Sequence, residues 1–325
     1  MIDFLSIYGI FLAKLITVFI LVVFGLILII SSMKKNPKSE GLKIESLNKR
    51  YQDLEDSLRL IVDGSEKFKK DSKLRKKLDK LSLKKGSKKP RIFVLDFKGD
   101  IRASDTASLR EEVSAILSIA NKKDEVLVRL ENPGGTVHEH GLAASQLMRI
   151  REKGVRLVIS VDKVAASGGY LMACVADHII AAPFAIIGSI GVIAQIPNFN
   201  RLLEEKGIDF EQVTAGKHKR TLTMFGKNTD AAREKIKEEL EDVHDLFKNQ
   251  IEEYRPNIDL VKVATGEHWY GVRALNLNLI DTIKTSDDYL IESSKRRDLY
   301  LVSYKRKSSL KDRFLGEAES LLSKF

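Results

Sequence analysis

Between Leu15 and Ile30 the chain carries no charged residue, and Ile7 to Ala13 extends this apolar run towards the N-terminus with only Lys14 between them. From about Tyr8 to Met33 that is enough helix to cross a hydrocarbon core of about 30 Å. Lys14 lies close enough to one end to snorkel to the near interface. A cleaved signal peptide fits poorly. No basic region precedes the run, and Ser31-Ser32-Met33-Lys34-Lys35 lacks a small-x-small cleavage pattern. Residues 1–33 are therefore expected to form a retained membrane anchor.

The next segment is opposite in character. Residues 34–91 hold 20 Lys and Arg against 9 Asp and Glu, whereas the whole 325-residue chain has a net charge of +10. The basic character thus belongs to one stretch beside the apolar run, and the remainder is close to neutral. The aromatics among these lysines are Tyr51 and Phe68 alone, too few for a nucleic-acid stacking surface, so nucleic acid is not an expected partner. Anionic lipid headgroups are. Positive charge this close to a span favours the cytosolic side, which on its own puts the rest of the chain in the cytosol. Leu47, Tyr51, Leu54, Leu58 and Ile61 recur at spacings of four and three, so an amphipathic helix or a short coiled coil is expected there. Gly86-Ser87-Lys88-Lys89-Pro90 reads as the end of a linker.

From Arg91 onwards, strands and helices alternate. Strands are expected over 91–97, 124–130 and 155–161, and helices over 104–120 and 141–152, the latter with Leu142, Leu147 and Met148 turned inward. Ser104 or Asp105 is the expected cap of the first helix. The pattern is that of an α/β domain with a mainly parallel sheet. Residues 179–196 are apolar too, but Pro183, Gly188 and Gly191 interrupt them, so they read as short buried strands and turns. A further strand is expected over 209–214 and a long amphipathic helix over 229–254. The single cysteine, Cys174, cannot form an internal disulfide and is expected to be a buried apolar filler. The segment from Leu299 to Phe325 reads as a basic, partly amphipathic tail without chemistry.

Ala165-Ala166-Ser167-Gly168-Gly169-Tyr170 is the stretch that suggests catalysis. A serine between small residues at the start of a helix can be an exposed nucleophile, with the next backbone N–H free to face a developing oxyanion. A helix cap is the ordinary alternative for such a serine. The turn Asn132-Pro133-Gly134-Gly135 is a second source of backbone donors. Six histidines are present, and none offers itself clearly as base. His138 and His140 are expected on a solvated loop, and His178 lies about three helical turns beyond Ser167, too far to touch it. No spacing suggests a metal centre, and no cofactor is expected. Lys217 and Lys219 remain as candidate bases. A lysine acts so only when burial brings its pKa down from about 10.4 towards neutrality, and spacing alone does not choose between the two.

Several motifs in this order carry a resemblance. They are Leu95-Asp96-Phe97-Lys98-Gly99, Asn132-Pro133-Gly134-Gly135, Asp162 to Tyr170, Gly188-Ser189-Ile190-Gly191-Val192, Ala215 to Thr223, and Gly266-Glu267-His268-Trp269-Tyr270-Gly271. Over about 91–288 the chain resembles the signal peptide peptidase A family of membrane-anchored serine proteases. The resemblance implies a ClpP/crotonase-like α/β fold, a Ser-Lys dyad and no cofactor. It implies Ser167 as nucleophile, Lys219 as general base, Ser189 as the residue orienting the lysine, and Gly134, Gly135 and Gly168 around the oxyanion. The turn begins with Asn132 where relatives often carry serine.

The resemblance also implies peptide or membrane-derived substrates such as remnant signal peptides, a homo-oligomeric ring, and a bacterial inner-membrane location with the active site on the periplasmic side, against the lysine count. The expected organisation is an anchor over 1–33, a lysine-rich helical linker over 34–90, a protease domain over 91–290 and a basic tail over 291–325. Two rivals are a hydratase or isomerase on the crotonase scaffold, which would need catalytic carboxylates instead of Ser167 and Lys219, and an inactive membrane scaffold of the same fold.

Overall fold

The computed structural model describes residues 2–33, 40–69, 72–74, 89–216 and 218–306, with side chains described from Tyr8 to Val23 in the first helix. That helix, α1 (Ile2–Met33), runs 32 residues, and its apolar side chains from Tyr8 to Val22 are exposed. Among the described residues no helix is long and apolar enough to cross a membrane, so the anchor reading of residues 1–33 stands on their sequence. Most of the lysine crowd between 70 and 88, the Gly86–Lys88 part of the linker, Lys217 and residues 307–325 lie outside the described residues.

The second unit, Leu42–Tyr304, begins with β1 (Gly41–Ser46) and α2 (Leu47–Val62). There follow β2 (Arg91–Lys98), α3 (Thr106–Leu117), β3 (Glu125–Glu131), α4 (Val137–Glu152), β4 (Arg156–Val161), β5 (Val164–Ala166), α5 (Gly168–Ala173), β6 (His178–Ala181) and β7 (Ile186–Gly188). The chain continues with α6 (Asn200–Glu205), α7 (Asp230–Tyr254), α8 (Leu260–Val263), β8 (His268–Tyr270), α9 (Gly271–Asn276), β9 (Thr282–Ile283), α10 (Ser286–Ser294) and β10 (Asp298–Lys305).

Seven strands form the main sheet in the order β1-β10-β2-β3-β4-β6-β9, and every described register from β10 to β9 is parallel. The α/β reading with a parallel sheet is what the chain adopts. β2 shows why. A strand buried on both faces must be apolar nearly throughout, and Ile92 to Leu95 and Phe97 are all buried. Alternation then splits them. Phe93, Leu95 and Phe97 join Leu109, Val113 and Ile116 of α3 and Ala143, Ala144 and Leu147 of α4. Ile92 and Val94 point to the other face, with Leu47 of α2 and Leu290 of α10.

The sheet reaches beyond 91–290 at both ends. β1 is its edge, and Asn48 at the start of α2 donates to the carbonyls of Ser294 and Arg297 and accepts the Leu299 N–H. β10 pairs with β2 and buries Leu299 completely, so the first part of the expected tail is an inner strand. Three other expectations change. Residues 209–214 form no strand and are exposed, Leu142 is exposed rather than inward, and α4 begins at Val137. The short strands expected within 179–196 are β6 and β7.

A second, three-stranded sheet leads into Ser167 and Ser189. β5 pairs parallel with β7, and β7 antiparallel with β8. A single bridge between Asn132 and Ala165 joins it to the end of β3.

Candidate active site

Ser167 leaves β5 and enters α5 at φ 52°, ψ −120°, and its side chain makes no cap bond to the helix. A serine side chain that merely capped α5 would accept an N–H from the first turn; this one does not. The backbone is instead held on both sides. Its N–H donates to the Gly188 carbonyl at 2.8 Å, and its carbonyl accepts the Leu171 N–H at 3.0 Å. A non-glycine residue at positive φ outside ordinary turns persists only where its surroundings impose it. Here α5 is wholly buried behind it, and Ser167 itself is half-buried.

Ala166 and Gly188 are register partners in the β5–β7 pair, so Ser167 and Ser189 leave the sheet side by side. Ser189 shares the same φ of 52°, and its N–H donates to the Glu267 carbonyl at 2.7 Å. Gly188, at φ 103°, faces the Trp269 ring, where a Cβ would lie 2.9 Å from a ring carbon. The Gly266–Gly271 motif thus forms the wall behind Ser189.

The Asn132–Gly135 turn closes on the serine from the other side. A Cβ on Gly134, at φ 94°, would sit 2.8 Å from the Ala166 oxygen and from Ser167 Cβ. This turn and the serine turn touch only because that side chain is missing. The N–H of Gly134 is taken by Asn132 Oδ1 at 2.9 Å. Among the described residues nothing accepts the Gly135 N–H, and Gly168 N–H, at the first position of α5, has no intrahelical acceptor. Two backbone donors therefore stand free beside Ser167, and Gly134 supplies the close approach.

Lys219 is elsewhere in character. It is exposed, with its N–H donating to the Gly216 carbonyl at 3.1 Å. It belongs to an arm from Ile193 to Phe225 in which no described residue is buried. The arm is pinned on itself by the Phe199 N–H to the Met224 carbonyl at 2.7 Å, by Asn198 to Thr223 and Gly226, and by packing of Phe199 and Phe210 on Phe225. Within the single chain no described contact joins Lys219 to Ser167.

Sequence reasoning missed His140. It is not on a solvated loop but fully buried in the first turn of α4, while His138 beside it is exposed. Its signal was the spacing His140, Ala143, Ala144, Leu147, Ile150, a single buried stripe, visible only once the helix is started at Val137. His178 sits not on a helix but on β6, beside Asp281 and Thr282. Cys174 is buried, as read, and burial pushes its thiol up to about 12. Among the described residues no cluster of His, Cys, Asp and Glu converges on a metal-sized site.

Two family profiles cover nearly the whole chain: Peptidase family S49 N-terminal over residues 3–147 and Peptidase family S49 over residues 149–299. The chain belongs to peptidase family S49. It is similar to the Probable protease SohB of Haemophilus influenzae, 47% identical over 98% of this chain and 94% of that protein. It is likewise similar to the Probable protease SohB of Buchnera aphidicola from Acyrthosiphon pisum, 49% identical over 97% and 94%. A solved structure of the 1510-N membrane-bound stomatin-specific protease matches at 16% identity and a TM-score of 0.40, over 63% of this chain and 85% of that one. Membership of family S49, with relatives named as proteases along nearly their full length, makes this chain a peptidase.

Proposed function

We propose that this S49 peptidase is a membrane-anchored serine endopeptidase with Ser167 as nucleophile and Lys219 as general base. The observation that carries the reading is the serine itself. Its backbone is fixed at φ 52°, its side chain is not spent on capping α5, and two free N–H groups, of Gly135 and Gly168, stand at its side. Neutral Lys219 takes the Ser167 proton as Oγ attacks the peptide carbonyl. The tetrahedral oxyanion is held by the two N–H groups. Lys219 then gives the proton to the departing amine, leaving an acyl-enzyme, and activates the water that hydrolyses it. Ser189, emerging beside Ser167, orients the lysine.

A lysine base needs a dry surrounding, and the arm bearing Lys219 is exposed in one chain. A homo-oligomeric ring that covers this arm supplies that surrounding. The apolar side chains from Tyr8 to Val22 are exposed, and a bilayer is the solvent in which such a helix is stable. Peptides left in or near the bacterial inner membrane, remnant signal peptides among them, are the substrates that suit an anchored enzyme.

The test is peptide hydrolysis by the full chain in detergent, wild type beside Ser167→Ala, Lys219→Ala and Lys217→Ala. Removal of a nucleophile or its base lowers kcat by about 10³-fold or more, so the first two variants should be inactive and the third active. Cleavage by Ser167→Ala at the wild-type rate would refute the assignment.

A further inference from the structure

His140 is a completely enclosed polar side chain, and its two ring nitrogens each face an acceptor. Nδ1 lies 3.0 Å from the Thr136 carbonyl and Nε2 3.2 Å from Asn132 Oδ1. Both oxygens only accept and a neutral imidazole carries one N–H, so the ring bonds one of them at a time, and the Asn132 contact is the hydrogen bond when the proton is on Nε2. Asn132 is equally buried and fully engaged. Its Oδ1 also receives the Gly134 N–H at 2.9 Å, its Nδ2 donates to Met172 Sδ at 3.2 Å, and its backbone pairs with Val164 and Ala166. The carboxamide is thus the inner brace of the turn that presents Gly135, and His140 is the brace of the carboxamide.

The same imidazole touches the other donor's segment, the start of α5. A Cβ on Gly168 would lie 2.5 Å from His140 Cγ and 2.7 Å from Cδ2, so the ring packs directly against the Gly168 backbone. One side chain therefore borders both segments that carry the free N–H groups, one through a hydrogen bond and one through van der Waals contact.

We propose that His140 is a positioning residue that sets the separation of the two oxyanion donors, acting on Gly135 through Asn132 and Gly134 and on Gly168 by direct packing. The proposal rests on the serine-peptidase reading above. Such donors act only when preorganised within about 2.7–3.1 Å of the developing charge. An apolar filler could occupy the volume under Gly168 but could not hold Asn132 Oδ1 in place, so the polar ring has a task that volume alone does not explain.

The experiment uses the full chain in detergent and four variants: His140→Leu, His140→Gln, Asn132→Ala and the Asn132→Ala/His140→Leu pair. Peptide hydrolysis gives kcat and KM, and hydrogen–deuterium exchange reads the segment 132–136 without reference to activity. His140→Leu should lower kcat by about 10–100-fold, the scale of lost orienting contacts around a site, with KM little changed and exchange at 132–136 faster. His140→Gln, whose amide can still donate to Asn132, should stay near wild type in both. The double variant should be no worse than the poorer single, because the two residues act as one brace. Unchanged kcat and exchange in His140→Leu overturn the proposal, as does a Gln variant as damaged as the Leu variant. If His140→Leu fails to fold, Asn132→Ala against His140→Gln decides by the same two readouts. If wild type and Ser167→Ala are alike inactive, the peptidase mechanism fails instead, and the exchange data alone then judge the brace: unchanged exchange in the Leu variant removes it, faster exchange keeps it.

Discussion

Ser167 gives its backbone N–H to the carbonyl of Gly188 at 2.8 Å, one step beyond the point where Ala166 and Gly188 pair as neighbours in parallel strands. The bond carries the β5–β7 ladder past its last residue pair and holds the serine at φ 52°, where the chain turns from β5 into α5. The strain is offset by the buried helix that follows and by the glycine turn pressed against it. Four predictions depend on this arrangement and on the domain that supports it.

Gly134→Ala forces a methyl group to within 2.8 Å of the Ala166 oxygen and Ser167 Cβ, at a φ of 94°. The turn must retreat from the serine. Destabilisation of about 1–2 kcal/mol follows from the backbone conformation, while kcat falls by about 100-fold as a donor moves out of range. Thermal unfolding beside steady-state hydrolysis separates the two effects; a variant that loses stability alone contradicts the role given to this turn.

Cys174 is buried, and burial raises its thiol to about 12. It is therefore protonated and shielded at neutral pH. Iodoacetamide should leave the folded protein unmodified and hydrolysis unaffected, with one label appearing only after unfolding. Loss of activity on alkylation of the native protein would point to a thiol in the chemistry.

Glu112 on α3 is buried and accepts the Tyr304 N–H at 2.7 Å. Burial pushes its carboxyl up to about 7, against the pull of that N–H. The folded chain thus holds a proton that the unfolded chain has released, so this group lowers stability as pH rises from about 4.5 to 7. Glu112→Gln keeps an acceptor for Tyr304 and removes the charge. It should flatten the pH dependence in that window and stabilise the protein at pH 8 by about 1–3 kcal/mol. Denaturant unfolding at pH 5 and pH 8 is the check, and equal gains at both values would show that the charge is not the cause.

Arg255, at the end of α7, meets Asp281 with two bonds of 2.8 Å, and Asp281 also accepts the Ile179 N–H at 2.7 Å. Burial disfavours the carboxylate, but the guanidinium and this N–H outweigh it and hold Asp281 below the usual range. Its contribution is present above the unfolded value of about 3.9 and is lost as pH falls through the lowered one. Asp281→Asn should cost about 2–4 kcal/mol, because Arg255 is left without its counter-charge. The loss should shrink in acid. A pH-independent loss would indicate packing instead.

The parts of the site that could be read from residues are those whose chemistry is local. A serine among alanines and glycines after an apolar strand, and a Gly-Gly turn after another, declare backbone positions where side chains would collide. The structure supplies those collisions at Gly134, Gly168 and Gly169. Other parts depended on pairing with distant residues. β10 was unreadable as a strand because its partner β2 lies some 200 residues earlier in the chain, and β1 because nothing local marks a sheet edge. Residues 209–214 have strand-like composition but find no partner and remain exposed.

By itself the sequence determined an apolar N-terminal run, a basic segment, an α/β domain with a parallel sheet, and the serine and glycines of the candidate site, because periodicity and the absence of a Cβ are properties of single residues and their neighbours. Only the tertiary structure decided that residues 41–62 and β10 complete the sheet, that Gly134's N–H is spent on Asn132, and that His140 lies buried between the two donor segments. Each is a contact between residues far apart in the chain, and such contacts are chosen by burial and hydrogen-bond satisfaction over the whole fold.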